Sequence, residues 1–255
     1  MPSKLEIRRF SAAFSQASRI CLHLCALAAC AAALQLAAAQ APIAPAAPQP
    51  RFVVVLDAAH GGDDPGGRLS NGQTEKSITL ALSVRLRSLL AARGIQVVTT
   101  REFDAAVDLN RRAELANHAY AAACLSLHAT ESGSGVHIFV SALAPAQPAR
   151  FAAWKTAQAA WVTRSLALAG VLNSALLHAG FNVTLGRAAL PTVDSMACPA
   201  VAVEVAPEFA SGRDSGQAPS AGLDDPGYQA RVAGALAAAL LEWRTDAWRM
   251  EAARP

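Results

Sequence analysis

Short apolar runs typical of β-strands alternate with helix-like segments along most of this chain, and that alternation constrains the fold more than any other feature. The strand-like runs are rich in Val, Ile and Leu and lie at 52–56, 95–100, 124–127, 135–140 and 200–205. The helix-like segments carry apolar residues at three- and four-residue steps and lie at 75–93, 108–119, 154–178 and 228–248. This order predicts a single α/β domain, in which helices flank both faces of a mostly parallel twisted sheet.

Composition divides the chain into four parts. Residues 1–40 combine basic side chains with a long apolar run that ends in small residues, which is the pattern of an export signal or a membrane anchor. Residues 41–50 are rich in Pro and Ala and are typical of an extended linker. We expect the folded domain at 51–245 and a C-terminal tail at 246–255.

The sequence leaves the fate of the N-terminal segment open. Its apolar run, Ile20–Ala39, is about as long as a membrane-spanning helix requires. Alanine dominates this run and is only weakly membrane-seeking, which favours a cleaved signal, while Leu27–Cys30 resembles a lipoprotein cleavage site. Each alternative predicts an exported protein of the periplasm or cell envelope, with membrane contact only through this segment.

Charge and aromatic content argue against a nucleic-acid-binding surface. The formal net charge is +3, the basic residues are scattered, and aromatic residues make up 5% of the chain. Proteins that bind nucleic acids need a basic stripe or stacking side chains. We therefore expect no nucleic-acid partner.

The folded domain contains two of the five cysteines, Cys124 and Cys198. Both stand next to apolar strand-like runs, so they are interpreted as small buried hydrophobic residues. An exported chain also permits a disulfide between them, and the sequence leaves that pairing open.

Three polar side chains stand where strands end or helices begin. His60 follows the first strand and precedes two glycines, Glu75 begins the first helix, and His128 follows the third strand. Each has an ordinary interpretation, as a loop residue or, for Glu75, as a carboxylate favoured by the helix dipole. Because the carboxyl ends of parallel strands meet in one crevice, these side chains can also converge there. Two imidazoles and a carboxylate form a zinc ligand set with one open position.

Glu204 interrupts the apolar run AVAVEVA. A carboxylate in such a strand is costly unless a positive group compensates it. An ion pair with an arginine or an outward-facing position would explain it, as would a metal ion at the sheet edge. In the last case Glu204 would serve as a general base, with Glu208 as the second choice.

Several sequence blocks together resemble the catalytic domain of the zinc-dependent N-acetylmuramoyl-L-alanine amidases. The blocks are VVVLDAAHGGDDPGG, TEKSITL, VVTTREFD, LNRRAELAN, LSLHAT, GVHIFV and CPAVAVEVAP, and the similarity covers roughly 52–241. The resemblance implies that 51–245 is a zinc amidase domain that holds one Zn²⁺ per chain. It assigns His60, Glu75 and His128 as metal ligands and Glu204 as the catalytic residue.

The substrate implied by this resemblance is peptidoglycan, cleaved at the amide between N-acetylmuramic acid and the first L-alanine of the stem peptide. Two alternatives stay open: a zinc peptidase that cuts within the stem, and a non-catalytic wall-binding module. Whether a protein activator is a further partner also stays open. We find no long extra helix between Val140 and Trp154 of the kind that blocks the zinc in regulated members, and this predicts a constitutively open site.

The chain departs from the family pattern near the site. Ala58 and Ala59 replace a Pro-Gly pair before His60, Thr130 replaces an asparagine, and Ala206-Pro207 replaces a Gly-Phe pair. These changes retain every ligand and the base, so they put substrate detail in question more than the reaction.

Other charged residues receive structural interpretations. The arginines in family blocks are expected to tie helices to loops, and the remaining histidines of the domain to pack or lie at the surface. The arginines are Arg101, Arg111 and Arg112, and the histidines are His118, His137 and His178.

Overall fold

A six-stranded sheet runs through the centre of the computed structural model, which describes residues 51–147, 153–209 and 219–252. The strands are β1 (Val53–Ala58), β2 (Gln96–Thr99), β3 (Ala123–Ala129), β4 (Val136–Ser141), β5 (Val183–Ala188) and β6 (Ala200–Val205). Their order across the sheet is β2-β1-β3-β6-β4-β5, and only the β4–β6 pairing is antiparallel. The predicted mostly parallel sheet is confirmed.

Helices cover both faces of this sheet, as predicted. The α-helices are α1 (Glu75–Ala91), α2 (Leu109–His118), α3 (Val162–His178), α4 (Pro191–Asp194) and α5 (Pro226–Ala252), and a 3-10 helix spans Trp154–Ala160. On one face, α1 and α3 pack against the sheet, α5 packs against both of these helices, and the three helices bury the larger core. On the other face, α2 and α4 cover a smaller core that consists largely of alanine and other short side chains. Short side chains allow these helices to approach the sheet closely.

The strand order brings three parallel strand ends to one edge of the sheet. β1, β3 and β6 are neighbours and all end at this edge, while β4 begins there because it runs antiparallel to β6. Ligands in α/β sheets bind at the carboxyl ends of the strands. The residues that follow β1 and those that end β3 and β6 therefore lie side by side.

The long helix predicted for 154–178 is wrong in one respect, because it breaks at Trp161. The 3-10 helix before this residue and α3 after it are bent by 67° relative to each other. The buried Gln158 side chain donates to the carbonyls of Met196 and Cys198 and accepts a hydrogen bond from Ser165. These contacts with a distant loop outweigh the local helical pattern.

Cys124 and Cys198 form a disulfide, the pairing that the sequence left open. Cys124 lies in β3 and Cys198 precedes β6, and both side chains are fully buried. The two strands are neighbours in register, with Cys124 paired to Ala200. The covalent link therefore joins the two strands at the end of the sheet opposite His128 and Glu204.

The predicted export segment and linker at 1–50 lie outside the described residues, as do 210–218 and 253–255. Within the predicted tail at 246–255, the helix α5 continues to Ala252. The domain boundaries, the export segment and the linker therefore stay predictions. Of the stretch between β4 and the 3-10 helix, 142–147 contains no helix and 148–152 falls outside the description. Within the described residues no single helix has the length and hydropathy of a membrane span. The 3-10 helix before Trp161 and α3 after it have that length and hydropathy only when the two are taken as one segment.

The disulfide is expected to stabilise the domain. A double Cys124→Ala, Cys198→Ala variant should lose about 2–4 kcal/mol of unfolding free energy, because the link no longer restrains the unfolded chain. Urea unfolding monitored by circular dichroism measures the loss, and the unmodified protein in reductant is the matched control. Equal stability of the oxidised protein and the variant would contradict the link.

Candidate metal centre

His60, Glu75 and His128 converge at the carboxyl edge of the sheet. One ligand atom from each lies within 4.8 Å of the others. His60 Nε2 is 3.1 Å from Glu75 Oε2, and His128 Nδ1 is 2.9 Å from Glu75 Oε1. Two imidazole nitrogens and a carboxylate thus face a common point, and the group could hold a metal ion. The convergence predicted from the sequence is present.

The Glu75 carboxylate is fixed from several sides. Its Oε2 accepts a hydrogen bond from Gly67 N–H at 3.0 Å, and its Oε1 accepts one from Ala129 N–H at 3.3 Å. Burial alone would raise the pKa of Glu75, but the hydrogen bonds from His128 and Gly67 and the charges of both histidines hold it below its ordinary value. The carboxylate is therefore kept ionised, as a metal ligand must be.

The glycine-rich loop passes very close to this carboxylate. Gly66 has a φ of 64°, and a Cβ at this position would lie 2.6 Å from His60 Cδ2 and 2.7 Å from Glu75 Oε2. Only glycine meets both requirements, the left-handed backbone and the close approach. The loop thereby packs against two members of the group.

Each histidine of the group is oriented through its outer nitrogen. His60 Nδ1 lies 2.8 Å from Asp64 Oδ2, which leaves Nε2 to face Glu75. His128 Nε2 lies 3.5 Å from Ser126 Oγ, which in turn donates to Asp57 at 2.7 Å. A carboxylate behind a histidine fixes the tautomer and the ring orientation of a metal ligand. Sequence reasoning missed Asp64 and Ser126, although Asp64 stands in the same glycine-rich motif as His60.

Two buried arginines hold the main chain that carries His60. Arg101 donates to the carbonyls of Ala58 and Ala59 at 2.9 and 3.1 Å. Arg112 donates to the carbonyls of Ala58 and His60, both at 2.7 Å, and to the buried Asp57 carboxylate at 2.6 Å. The structural interpretation of both arginines is confirmed.

The arginines also explain how His60 adopts an unusual backbone. Its φ of 63° lies in the left-handed region, which is strained for a residue with a side chain. The bond from Arg112 to the His60 carbonyl compensates for this strain. By contrast, the preceding residue, Arg111, forms an exposed pair with Glu114 at 3.3 Å.

Glu204 lies beside the group without belonging to it. In β6 it is paired in register with His128 of β3, so both side chains project from the same face of the sheet. Its carboxylate is half-buried and makes no hydrogen bond or ion pair with the part of the chain that the structure describes. Glu208, the alternative base, is instead held by Arg231 at 2.7 Å.

The departures from the family pattern fit the local backbone. Ala59 donates its N–H to Leu127 at 3.1 Å and adopts no left-handed φ, so this position does not require glycine. The Ala206 N–H donates to Gly135 at 2.8 Å, and the Pro207 carbonyl accepts from Gly135 at 3.1 Å. The segment after Glu204 is therefore held by backbone hydrogen bonds to Gly135.

A cavity of about 590 Å³ opens on the side of His128 away from Glu204. It lies on the face of the sheet that carries Ser126 and Asp57, between the loop before α2 and the short helix α4. Its lining includes His60, His128, Val107, Leu109 and Thr192. The candidate metal centre therefore has an open approach.

His137 was interpreted as a packing or surface residue, and the structure places it nearer the centre. It pairs in register with Glu204 on the side opposite His128. The sequence carried a signal for this position, because Val136, Ile138 and Val140 point into the core and leave His137 on the other face. His118 and His178 are exposed, as expected.

The buried Asp57–Arg112 pair should be essential for stability. An Arg112→Met variant should lose about 3–5 kcal/mol of unfolding free energy, because it leaves a buried carboxylate without its cation. The neighbouring Arg111→Met change, at an exposed pair, should cost no more than about 0.5 kcal/mol. Urea unfolding of both variants measures the difference, and equal losses would contradict the account.

Comparisons with known proteins agree with the sequence blocks. The family model described as N-acetylmuramoyl-L-alanine amidase matches residues 54–242. The amidase AmiA of Escherichia coli (strain K12) is 42% identical over 77 residues, a match that covers 30% of this chain and 27% of AmiA. The match thus spans far less than two thirds of that relative's length.

Solved structures share the fold. The catalytic domain of the amidase CwlV from Bacillus (Paenibacillus) polymyxa aligns with a TM-score of 0.57 at 24% identity, over 75% of this chain and 97% of CwlV. The CwlD amidase of Clostridioides difficile, solved in complex with the GerS lipoprotein, aligns with a TM-score of 0.55 at 20% identity, over 76% and 99%. The family match covers most of the chain, so the chain belongs to the N-acetylmuramoyl-L-alanine amidase family.

Proposed function

We propose that this chain is a zinc-dependent N-acetylmuramoyl-L-alanine amidase. It hydrolyses the amide between N-acetylmuramic acid and L-alanine in bacterial peptidoglycan, and it serves cell-wall remodelling or daughter-cell separation. The observation that carries the proposal is the convergence of His60, Glu75 and His128 within 4.8 Å, beside a Glu204 carboxylate that has no partner among the described residues. Membership of the amidase family supports the choice of substrate.

The donor set fits one zinc ion per chain. Two imidazoles and one carboxylate are a common catalytic zinc set, which leaves a fourth position open. His60 would bind through Nε2 and His128 through Nδ1, because their other nitrogens face Asp64 and Ser126. Zinc in such a site supplies Lewis acidity toward a carbonyl oxygen and lowers the pKa of water.

Glu204 is the proposed general base. Its carboxylate takes the proton of the attacking water and passes it to the leaving amide nitrogen. The carbon–nitrogen bond breaks, so the products are a free lactyl carboxylate and a peptide with a free N-terminal alanine. The absence of a partner for Glu204 among the described residues supports this role, because a base must keep its carboxylate available.

The site's surroundings support action on a large polymer. The cavity beside His128 is open and extends to residues of α2 and α4, so an extended substrate can approach it. The proposed localisation, exported and in the periplasm or cell envelope, follows from the substrate and from the N-terminal sequence pattern. Membrane contact would come only through that N-terminal segment.

Protein partners are a separate question. The related fold of CwlD is solved with the GerS lipoprotein, which supports a search for an activator of this chain. We propose that the catalytic site needs no displacement of a blocking helix. The non-helical backbone of 142–147 supports this, and 148–152 lies outside the described residues.

Replacing the proposed base tests the chemistry. Glu204→Gln should lower kcat by about 10²–10⁴-fold, because the amide accepts no proton. Glu208→Gln, which removes a carboxylate already paired with Arg231, should leave kcat within about twofold. Hydrolysis of muramoyl peptides is followed by mass spectrometry, and zinc content is measured in parallel.

The products separate the alternative functions. New lactyl carboxylate and N-terminal alanine identify an amidase, whereas new termini within the stem identify a peptidase. A zinc-free chain that binds peptidoglycan without cutting it would be a binding module. Full activity of Glu204→Gln with zinc retained would refute the assignment of the base.

The carboxylate behind His60 should govern zinc affinity. Asp64→Asn should weaken zinc binding by about 10–100-fold, because the amide has no negative charge and only one acceptor oxygen for two donors, the His60 ring and the Gly66 N–H. Asp63→Asn, at the exposed neighbouring position, should change it by less than about threefold. Competition with a chromophoric chelator measures both affinities, and equal effects of the two changes would argue against the role of Asp64.

A further inference from the structure

Four polar residues form a straight row across one face of the sheet. His128 of β3 pairs with Glu204 of β6, Glu204 pairs with His137 of β4, and His137 pairs with Thr184 of β5. Directly paired residues project from the same face, and neighbouring strands lie about 4.8 Å apart. We call these four residues the crest row. It begins at the candidate metal centre and ends at the edge strand of the sheet.

The His137 ring is held in place within this row. Its Nδ1 lies 2.6 Å from Thr184 Oγ1. Its Nε2 faces Gly133, whose φ is 83° and where a Cβ would lie 2.6 Å from that nitrogen. Glycine at this position lets the loop pass close to Nε2 without placing a side chain on it. His137 is half-buried, so part of the oriented ring is exposed.

The order of the crest row gives the substrate a direction. Resting on the proposed function, the reacting carbonyl lies at the group His60, Glu75 and His128, and the leaving nitrogen lies at Glu204. The chain that continues from this nitrogen is the stem peptide, and the next side chain in the same direction is His137. The acyl part continues the other way, toward the cavity that Leu109 and Thr192 help to line.

We propose that the stem peptide leaves Glu204 along the crest row and that His137 binds it. An extended peptide advances about 3.3–3.6 Å per residue, so the distance of about 4.8 Å between neighbouring strands corresponds to between one and two residues. The first or second stem residue therefore lies over His137. The imidazole N–H donates to an oxygen acceptor there, a peptide carbonyl or a carboxylate. His137 is thus a substrate-binding residue that selects muramoyl peptides with an extended stem.

The proposal predicts that His137 matters only when the substrate has stem residues beyond L-alanine. We would compare kcat/KM for N-acetylmuramoyl-L-alanine with that for N-acetylmuramoyl-tripeptide. His137→Ala should reduce the preference for the tripeptide about tenfold, mainly through KM, because one hydrogen bond is lost. His137→Gln, which keeps an N–H donor, should retain part of the preference, and Thr184→Val should weaken it.

Thr192→Val is the matched control, because Thr192 lines the cavity on the other side of His128. It should change kcat/KM of both substrates by the same factor and leave the preference intact. Equal losses on both substrates in His137→Ala, or no loss, would overturn the proposal. No hydrolysis of either substrate by the unmodified protein would instead contradict the proposed amidase function.

Binding of the free stem tripeptide gives a second readout that needs no turnover. Titration calorimetry should show an approximately tenfold weaker Kd for His137→Ala and an unchanged Kd for Thr192→Val. Circular dichroism confirms that each variant folds. Tripeptide affinity that is independent of His137 would refute its role, even in a protein that hydrolyses both substrates.

Discussion

The buried Asp57 carboxylate organises the site. It accepts hydrogen bonds from Arg112, Thr100 and Ser126, so it joins β1, β3, α2 and the end of β2 at one point. Through Arg112 it holds the strained backbone of His60, and through Ser126 it reaches the outer nitrogen of His128. The buried charge of Asp57 is tolerated because Arg112 supplies the opposite charge and the three partners donate hydrogen bonds to the carboxylate. The same residue thus stabilises the fold and positions both histidines.

Strand order then distributes the parts of the site along a line. The cavity lies beside β1 and β3, the candidate metal centre at β3, Glu204 on β6 and His137 on β4. The proposed hydrolysis needs one group at the carbonyl oxygen and a proton carrier within reach of the nitrogen bonded to the same carbonyl carbon. Because His128 and Glu204 are paired in register on neighbouring strands, the sheet fixes the spacing of these two groups.

The sequence predicted the parts of this arrangement that depend on local pattern. Apolar runs placed His60, His128 and Glu204 near strand ends, and parallel strands share one functional edge, so their convergence followed. Interactions set by strand register could not be predicted. The Ser126 bond to Asp57 of β1, the partner of Cys124 and the neighbour of Glu204 all depend on which strands adjoin.

Tertiary contacts also overrode local signals. The sequence around Trp161 predicts one continuous helix. The buried amide of Gln158 instead donates hydrogen bonds to the loop before β6, and the helical segment is bent at Trp161. The sequence gives His137 the pattern of an ordinary strand residue, and only the antiparallel pairing of β4 with β6 places it beside Glu204. In both cases the deciding partner lies tens of residues away along the chain.

The proposed function requires that His60, Glu75 and His128 together bind one zinc ion. Anomalous diffraction from crystals of the zinc-loaded protein, measured on both sides of the zinc absorption edge, tests it most directly. We expect one strong peak per chain, about 2.0–2.2 Å from His60 Nε2, His128 Nδ1 and a Glu75 carboxylate oxygen. A protein that carries zinc elsewhere, or that shows no peak between these three side chains, would contradict it.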